Sequence, residues 1–426
     1  TADESIRKKL GIDLSDFMTG SAGVKAVYTK NTNGSALADI DVDLTPATFF
    51  IEPLKYQKNP GQSGSAKLTA VLKNDHISEI KDLTVSAPNA RIEKSTIQFK
   101  TQNGKTEIDS GAISRMVVGE TDGSMKFNRS KNGGYALNIQ SSFFDMRPFL
   151  THNDNQEPKP YTAPPLTISL TAAQAKSANE QIINNGKLYL VIGDKGIFNQ
   201  LEVDAKIGAG ALYVRYKPDE TGKRFFRMEA DDAGATLKAF KLFDDMVGGN
   251  LVIYAEPESW NFDRNLVGRA EITNFKIVGA PALAKLISLM SLTGPLELLN
   301  NEGLSFTKLA ADFDWMFRPD GSLLILKNGR TSGNSLGFTF EGTFDNAIGK
   351  MDLNGTIIPL SGVNNLLQNI PLVGNILGGE SGLIAATYSM KTPGKGQETT
   401  VFVNPLSVLA PGIFRSILFE DAADTK

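Results

Sequence analysis

The sequence predicts a mainly β fold of repeating antiparallel hairpins, with a few amphipathic helices towards the C-terminus. Three observations predict it. Apolar and polar residues alternate over five to nine positions in segment after segment, the period of a strand with one buried face. Gly, Asn or Asp follows these segments, and the chain holds 40 glycines, as a chain that turns often requires. Helical spacing is confined to a few short stretches late in the chain.

In order along the chain, Ala38 to Leu44 sets Ile40, Val42 and Leu44 against Asp39, Asp41 and Asp43, and Ala66 to Leu72 and Gly210 to Tyr216 continue the design. Glu157 to Pro165, EPKPYTAPP, interrupts it, because closely spaced prolines remove backbone donors and hold their neighbours extended. A linker or crossover is expected there, between an N-terminal β-rich segment (1–156) and a C-terminal region (166–426). The clearest hairpin follows. Leu336, Phe338, Phe340 and Phe344 fall on one face and Thr339, Glu341 and Thr343 on the other; after a turn, Met351, Leu353 and Ile357 oppose Asp352, Asn354 and Thr356.

The helical stripes are Leu283, Leu286, Ile287 and Met290, then Val363, Leu366, Leu367 and Ile370, each spaced i, i+3, i+4, i+7. A further short helix is expected from Asn404, an N-cap followed by Pro405 at the first helical position, carrying Leu406, Leu409, Ile413, Phe414 and Ile417 and broken at Pro411.

Composition narrows the function. With 41% hydrophobic and 21% charged residues the chain is that of a folded protein. A net charge of -3, from 44 Lys plus Arg against 47 Asp plus Glu, gives no electrostatic footprint for nucleic acid. The absence of cysteine removes disulfides, thiolate metal sites and cysteine nucleophiles, and suits an oxidising compartment. Thr1 to Leu10 is polar and charged, so an N-terminal signal or anchor is expected only upstream of Thr1. Ile277 to Leu296 and Thr356 to Gly379 approach bilayer length, but the second holds Asn364, Asn365, Gln368, Asn369 and Asn375 with Pro359 and Pro371. Such a polar load favours an interfacial or partly buried helix over a span.

Catalytic patterns fail on context. Gly333-Asn334-Ser335-Leu336-Gly337 fits the G-x-S-x-G nucleophile elbow, yet an alternating strand follows where a helix is needed, and both histidines, His76 and His152, lie upstream. A turn between strands is expected instead. With no cysteine, a zinc site would need carboxylates to supply most of its ligands, and neither histidine has a second histidine nearby. Asp39, Asp41 and Asp43 imitate a calcium loop but place Leu44 and Phe50 where Gly and Glu are required. Gly208-Ala209-Gly210 lacks the third glycine of a dinucleotide fingerprint. The doublets Asp231-Asp232 and Asp244-Asp245 are expected at turns and caps rather than as an acid and base pair. No metal, no cofactor and no enzymatic activity are expected.

From about Val203 to Phe419 the segments resemble the C-terminal region of AsmA-like envelope proteins, the AsmA, YhdP and TamB relatives. The residues that carry the resemblance are GRAEITNFKIVGAPALAKLISLMSL (Gly268 to Leu292), GLSFTKL (Gly303 to Leu309), LGFTFEGTFDNAIGKMDLNGTIIP (Leu336 to Pro359), VNNLLQNIPLVGNILGG (Val363 to Gly379) and VNPLSVLAPGIFRSILF (Val403 to Phe419). FFDMRPFL (Phe143 to Leu150) looks like a segment preceding that region. The resemblance implies an elongated, curled antiparallel sheet whose concave face is an apolar groove. It also implies a periplasmic place, with an inner-membrane anchor upstream, and a part in moving phospholipid between inner and outer membranes.

Under that resemblance, Leu336, Phe338, Phe340, Phe344, Met351, Leu353 and Ile357 are the candidate lipid-binding residues. Leu366, Leu367, Ile370, Ile413, Phe414 and Ile417 are the candidate contacts with a membrane surface or other envelope proteins. The runner-up is a periplasmic scaffold that assembles outer-membrane proteins by pairing with their strands at an exposed sheet edge.

Overall fold

The computed structural model describes residues 2–5, 14–31, 35–74, 76–102, 104–150, 164–258, 265–289, 299, 302–318, 321–359 and 386–404. The fold is mainly β, with 69% strand and 8% helix, in curled, mostly antiparallel sheet that does not close into a barrel. The chain divides into two compact units, the boundary falling between Lys206 and Ile207.

The first unit holds β1 (Met18–Thr19), β2 (Gly23–Lys30), β3 (Ser35–Asp43), β4 (Thr48–Ile51), β5 (Tyr56–Lys58), β6 (Ser65–Lys73), β7 (His76–Ala87), β8 (Ala90–Gln102), β9 (Lys105–Val118), β10 (Thr121–Arg129), β11 (Tyr135–Asp145), helix α1 (Arg147–Leu150), β12 (Leu166–Lys176), β13 (Ile182–Ile192) and β14 (Phe198–Ile207). From β2 through β3 and β6 to β11, successive strands pair antiparallel, and β12 pairs antiparallel with β13. β11 and β12 are parallel, from Tyr135 opposite Leu166 to Asp145 opposite Lys176. A parallel neighbour obliges the chain to return along the sheet before the next strand begins. The proline-rich stretch lies in that return, with residues 157–163 outside the described ones. β1, β4 and β5 form a small separate sheet. Beside it Met18, Ala22, Leu44, Ala47 and Ala66 make a core with Val42, Phe49 and Val85 packed on it.

The second unit holds β15 (Gly210–Pro218), β16 (Arg224–Ala230), helix α2 (Ala233–Ala239), β17 (Met246–Pro257), β18 (Leu266–Ile277), helix α3 (Pro281–Leu289), β19 (Leu304–Arg318), β20 (Gly321–Gly333), β21 (Leu336–Asp345), β22 (Lys350–Pro359), β23 (Ala386–Thr392) and β24 (Thr400–Asn404). All ten strands pair antiparallel with their neighbours in sequence. Antiparallel strands in sequence order need only short loops on one side and tolerate long insertions on the other, which is how this unit is arranged. The connections at 219–223, 346–349 and 393–399 are tight, whereas 231–245 carries α2 and 278–303 carries α3. Asp232 caps α2 by accepting from the Ala235 amide at 2.9 Å, the cap role expected of that doublet. No helix among the described residues is long and apolar enough to cross a membrane.

Among the described pairings of the second unit, the period-two reading survives three register shifts, between Phe306 and Lys308, Ala310 and Asp312, and Leu326 and Gly329. At the last, Asn328 takes φ 50°, so Leu324 and Leu326 before it share a face with Gly329 and Thr331 after it. Gly329 is needed there because the Phe340 ring lies across it, 2.3 Å from where a Cβ would stand.

Candidate functional site

In the second unit the strand registers align one apolar face across all ten strands. Tyr216 on β15, Phe226 on β16 and Ala255 on β17 follow one another along one cross-strand row. Gly268 on β18, Phe313 on β19 and Leu326 on β20 continue it. It runs on through Gly342 on β21, Leu353 on β22, Met390 on β23 and Val401 on β24. Around Ala255, Leu266 and Phe313 the side chains of Tyr216, Phe226, Ile253, Trp315, Leu324 and Leu326 pack together yet stay half-exposed. Large apolar side chains side by side and half in water are the unusual feature, since single exposed hydrophobic residues are ordinary.

The opposite face is charged. Arg269 reaches Glu271 and Asp312, each at 3.0 Å, Lys308 reaches Glu271 at 3.5 Å, Lys327 meets Asp314 at 2.5 Å and Lys391 meets Asp352 at 2.8 Å. Lys391 holds the Asp352 carboxyl below the usual carboxylate range through its hydrogen bond. Exposed pairs of this kind add little stability, but they mark this face as the one in water.

The seven candidate lipid-binding residues share the apolar face, as their alternation requires: Phe338 lies opposite Ile357, and Phe344 opposite Met351. Burial separates them. Leu336, Phe338 and Ile357 are 1%, 6% and 0% exposed, whereas Phe340, Met351 and Leu353 are half-exposed and Phe344 is 37% exposed. Of the buried three, Phe338 belongs to an aromatic row with members on four strands, Phe275 to Phe306 (5.3 Å between ring centroids), Phe306 to Phe338 (6.1 Å) and Phe338 to Tyr388 (6.3 Å).

Tyr388 lies over Gly355, whose missing side chain leaves room for it, and its hydroxyl donates to the Thr339 carbonyl at 2.9 Å. Burial raises the Tyr388 pKa, so it stays a neutral donor. The Thr356 amide donates instead to the Thr339 hydroxyl at 3.0 Å, so no donor is left over. The other candidate residues, Leu366, Leu367, Ile370, Ile413, Phe414 and Ile417, lie outside the described residues.

The first unit builds a half-exposed apolar face of its own. Phe127, Leu137, Ile168 and Leu190 form one cross-strand row, and Met125, Ile139, Leu170 and Leu188 the next. Its outer face carries Asp39, which accepts from the Thr69 hydroxyl at 2.7 Å, and Asp41, paired with Lys67 at 3.1 Å. The aspartate run is thus a solvated strand face. A cleft of about 270 Å³ also lies in this unit, lined by Tyr56, Pro88, Thr121, Asp145 and Pro148 among others. Its polar groups are engaged with each other, Tyr56 donating to the Pro88 carbonyl at 2.8 Å and the Asp145 amide to Thr121 at 3.0 Å.

Two charged clasps in this unit had no signal in the sequence. Lys58 is fully buried, and its ammonium donates to the carbonyls of Ala47 (2.8 Å), Asn59 (3.1 Å) and Thr45 (3.3 Å). Desolvation lowers its pKa while Asp43 raises it. Arg147 grips Asp145 through Nε and Nη2 (2.9 and 2.8 Å), Glu120 at 2.5 Å and Glu180 at 3.2 Å, and Lys176 also reaches Glu120 at 2.8 Å. That network ties down the end of the parallel pair.

The catalytic-looking serine, Ser335, occupies the bend between β20 and β21, with strand on both sides. His76 is exposed at the start of β7, and His152 lies outside the described residues. Among the described residues no group of three or more His, Asp or Glu could hold a metal ion. Compared with known proteins, the chain matches no protein-family model and has no significant match to a curated protein or a solved structure.

Proposed function

We propose that the chain is a non-enzymatic lipid-handling module that binds phospholipid acyl chains on its apolar sheet faces and passes them between membranes. The observation that carries this reading is the second unit's face, where half-exposed Leu, Ile, Phe, Trp and Met side chains continue from strand to strand opposite a charged face. Exposing an acyl chain of about sixteen carbons to water costs on the order of 13 kcal/mol, at about 0.8 kcal/mol per methylene. A continuous apolar track removes most of that barrier without any covalent step. The likeness of Gly268–Leu292 and Leu336–Pro359 to AsmA-like envelope proteins supports the same reading, and with it a periplasmic location on an upstream anchor.

The test is native mass spectrometry with lipid extraction on the purified chain. Co-purifying phospholipid, or uptake from vesicles, is the expected result. A chain that stays lipid-free after incubation with phospholipid vesicles contradicts it.

A second reading, a scaffold that pairs with strands of outer-membrane proteins, is favoured by β2. This eight-residue strand pairs with β3 without a shift, contains no proline, and is exposed along nearly all its length, with Val27 67% exposed. Such an edge is a template for strand addition. Val27→Pro is expected to abolish partner capture under the scaffold reading and to leave lipid uptake unchanged under the lipid reading.

A further inference from the structure

Resting on the lipid-binding reading, we propose that the second unit holds its amphiphile in one orientation, acyl chains toward the rim that carries the helices and headgroup at the rim made of tight turns. Exposure along the apolar face falls in one direction on several strands. On β19 it drops from 37% at Phe317 to 2% at Leu304, and on β21 from 37% at Phe344 to 1% at Leu336. On β22 and β23 it drops from half-exposed Met351 and Met390 to Ile357 and Ala386, at 0% and 1%.

The antiparallel registers put these four low values at the rim from which 278–303 and 360–385 depart, whereas on β17 and β18 burial reaches towards the other rim, Ala255 and Leu266 being 2% and 8% exposed. At the helix-bearing rim α3 buries Leu286 and Ile287 and packs against β24, and the Phe275, Phe306, Phe338, Tyr388 row fills the sheet face at the same rim. Tyr388, the polar member of that row, already donates to the Thr339 carbonyl. A phosphate buried against Phe275, Phe306, Phe338 and Ile357 on this face would lose its water, and the Tyr388 hydroxyl is already engaged, which is strongly unfavourable. Chain methyls meet only hydrocarbon there.

The opposite rim is wet and aromatic. Trp315 and Phe317 pack at 4.6 Å between ring centroids, an amphipathic pairing suited to a boundary between hydrocarbon and water. The strand ends there carry Lys217, Arg224, Arg318 and Lys350, cations that complement a phosphate. Arg318 is paired with Asp345 at 2.7 Å, so it acts by sharing that pair rather than as an isolated charge.

Trp315 reports the orientation directly, because the chain has two tryptophans and Trp260→Phe leaves Trp315 alone; Trp260→Tyr is the second variant should the first fold poorly. The protein is loaded with phosphatidylcholine brominated either near the acyl carbonyls or near the acyl methyl ends, and bound lipid is counted by native mass spectrometry in the same samples. The carbonyl-end bromines are expected to cause the larger loss of Trp315 fluorescence at equal occupancy. Equal quenching, or stronger quenching by the methyl-end bromines, with lipid bound overturns the orientation alone. Absence of bound lipid overturns the lipid-binding reading and the orientation together.

Discussion

The two units write the same alternation into their strands and finish it differently. In the second unit the apolar face ends in large buried rings, Phe275, Phe306, Phe338 and Tyr388, at the rim where α3 packs against β24. In the first, the small side chains Ala36, Ala66, Ala70, Ala90 and Ala172 make up much of the buried surface, and the irregular segments are held by Lys58 and Arg147 instead. Alanine contributes little area to burial, so a unit built this way fixes its loops and its parallel pair with charge-assisted hydrogen bonds. The second unit has enough apolar volume to close one rim by packing alone.

The sharpest way to break that comparison is to remove a ring. Phe306→Ala is expected to destabilise the second unit by about 3–5 kcal/mol, the range for a buried aromatic truncation, read as a loss of denaturant midpoint. Lys58→Ala in the first unit strands the carbonyls of Ala47, Asn59 and Thr45 and is expected to cost roughly 2 kcal/mol, with faster amide exchange across residues 44–64. A Lys58 effect exceeding that of Phe306 would reverse the assignment of packing to one unit and charged clasps to the other.

Acid should separate the units less strongly. The hydrogen bond from Arg147 holds the Asp145 carboxyl below its ordinary value, and those from Lys176 and Arg147 do the same for Glu120. Groups lowered by folding stabilise above the unfolded carboxylate range, about pH 4. Their contribution is lost as pH falls through that range towards the lowered folded values. Arg147→Ala is therefore expected to lower stability at neutral pH and to flatten its fall below pH about 4, measured by denaturation at several pH values. Because Glu120 is largely in water, the effect should be small. An unchanged acid profile in the variant would show the clasp to be incidental.

Much of the fold is legible in period two. The Leu336–Phe344 and Met351–Ile357 hairpin pairs as its alternation requires, because a strand's side chains alternate whatever packs on them. The stripe of Leu286 and Ile287 is buried on α3, again a local pattern. What could not be read is long-range. Burial of Phe338 but not Phe344 depends on rings from two other strands, Phe306 and Tyr388. The prolines of EPKPYTAPP mark a linker or crossover but not the direction of the strand that follows, so the parallel pairing of β11 with β12 is not legible. The shift at Asn328 and Gly329 depends on a ring from the neighbouring strand. Lys58 gave no signal because a buried lysine and an exposed one look alike in sequence.

The central claim, that the apolar face and not the sheet as a whole carries lipid, is tested most directly by two neighbouring residues. Leu353 and Asn354 are adjacent on β22 and point to opposite faces, Leu353 half-exposed on the apolar side and Asn354 exposed on the charged one. Leu353→Glu and Asn354→Glu, each verified as folded by circular dichroism, are to be compared for phospholipid occupancy by native mass spectrometry. Occupancy lost in Leu353→Glu and retained in Asn354→Glu is the expected result; equal occupancy in the two would contradict the account.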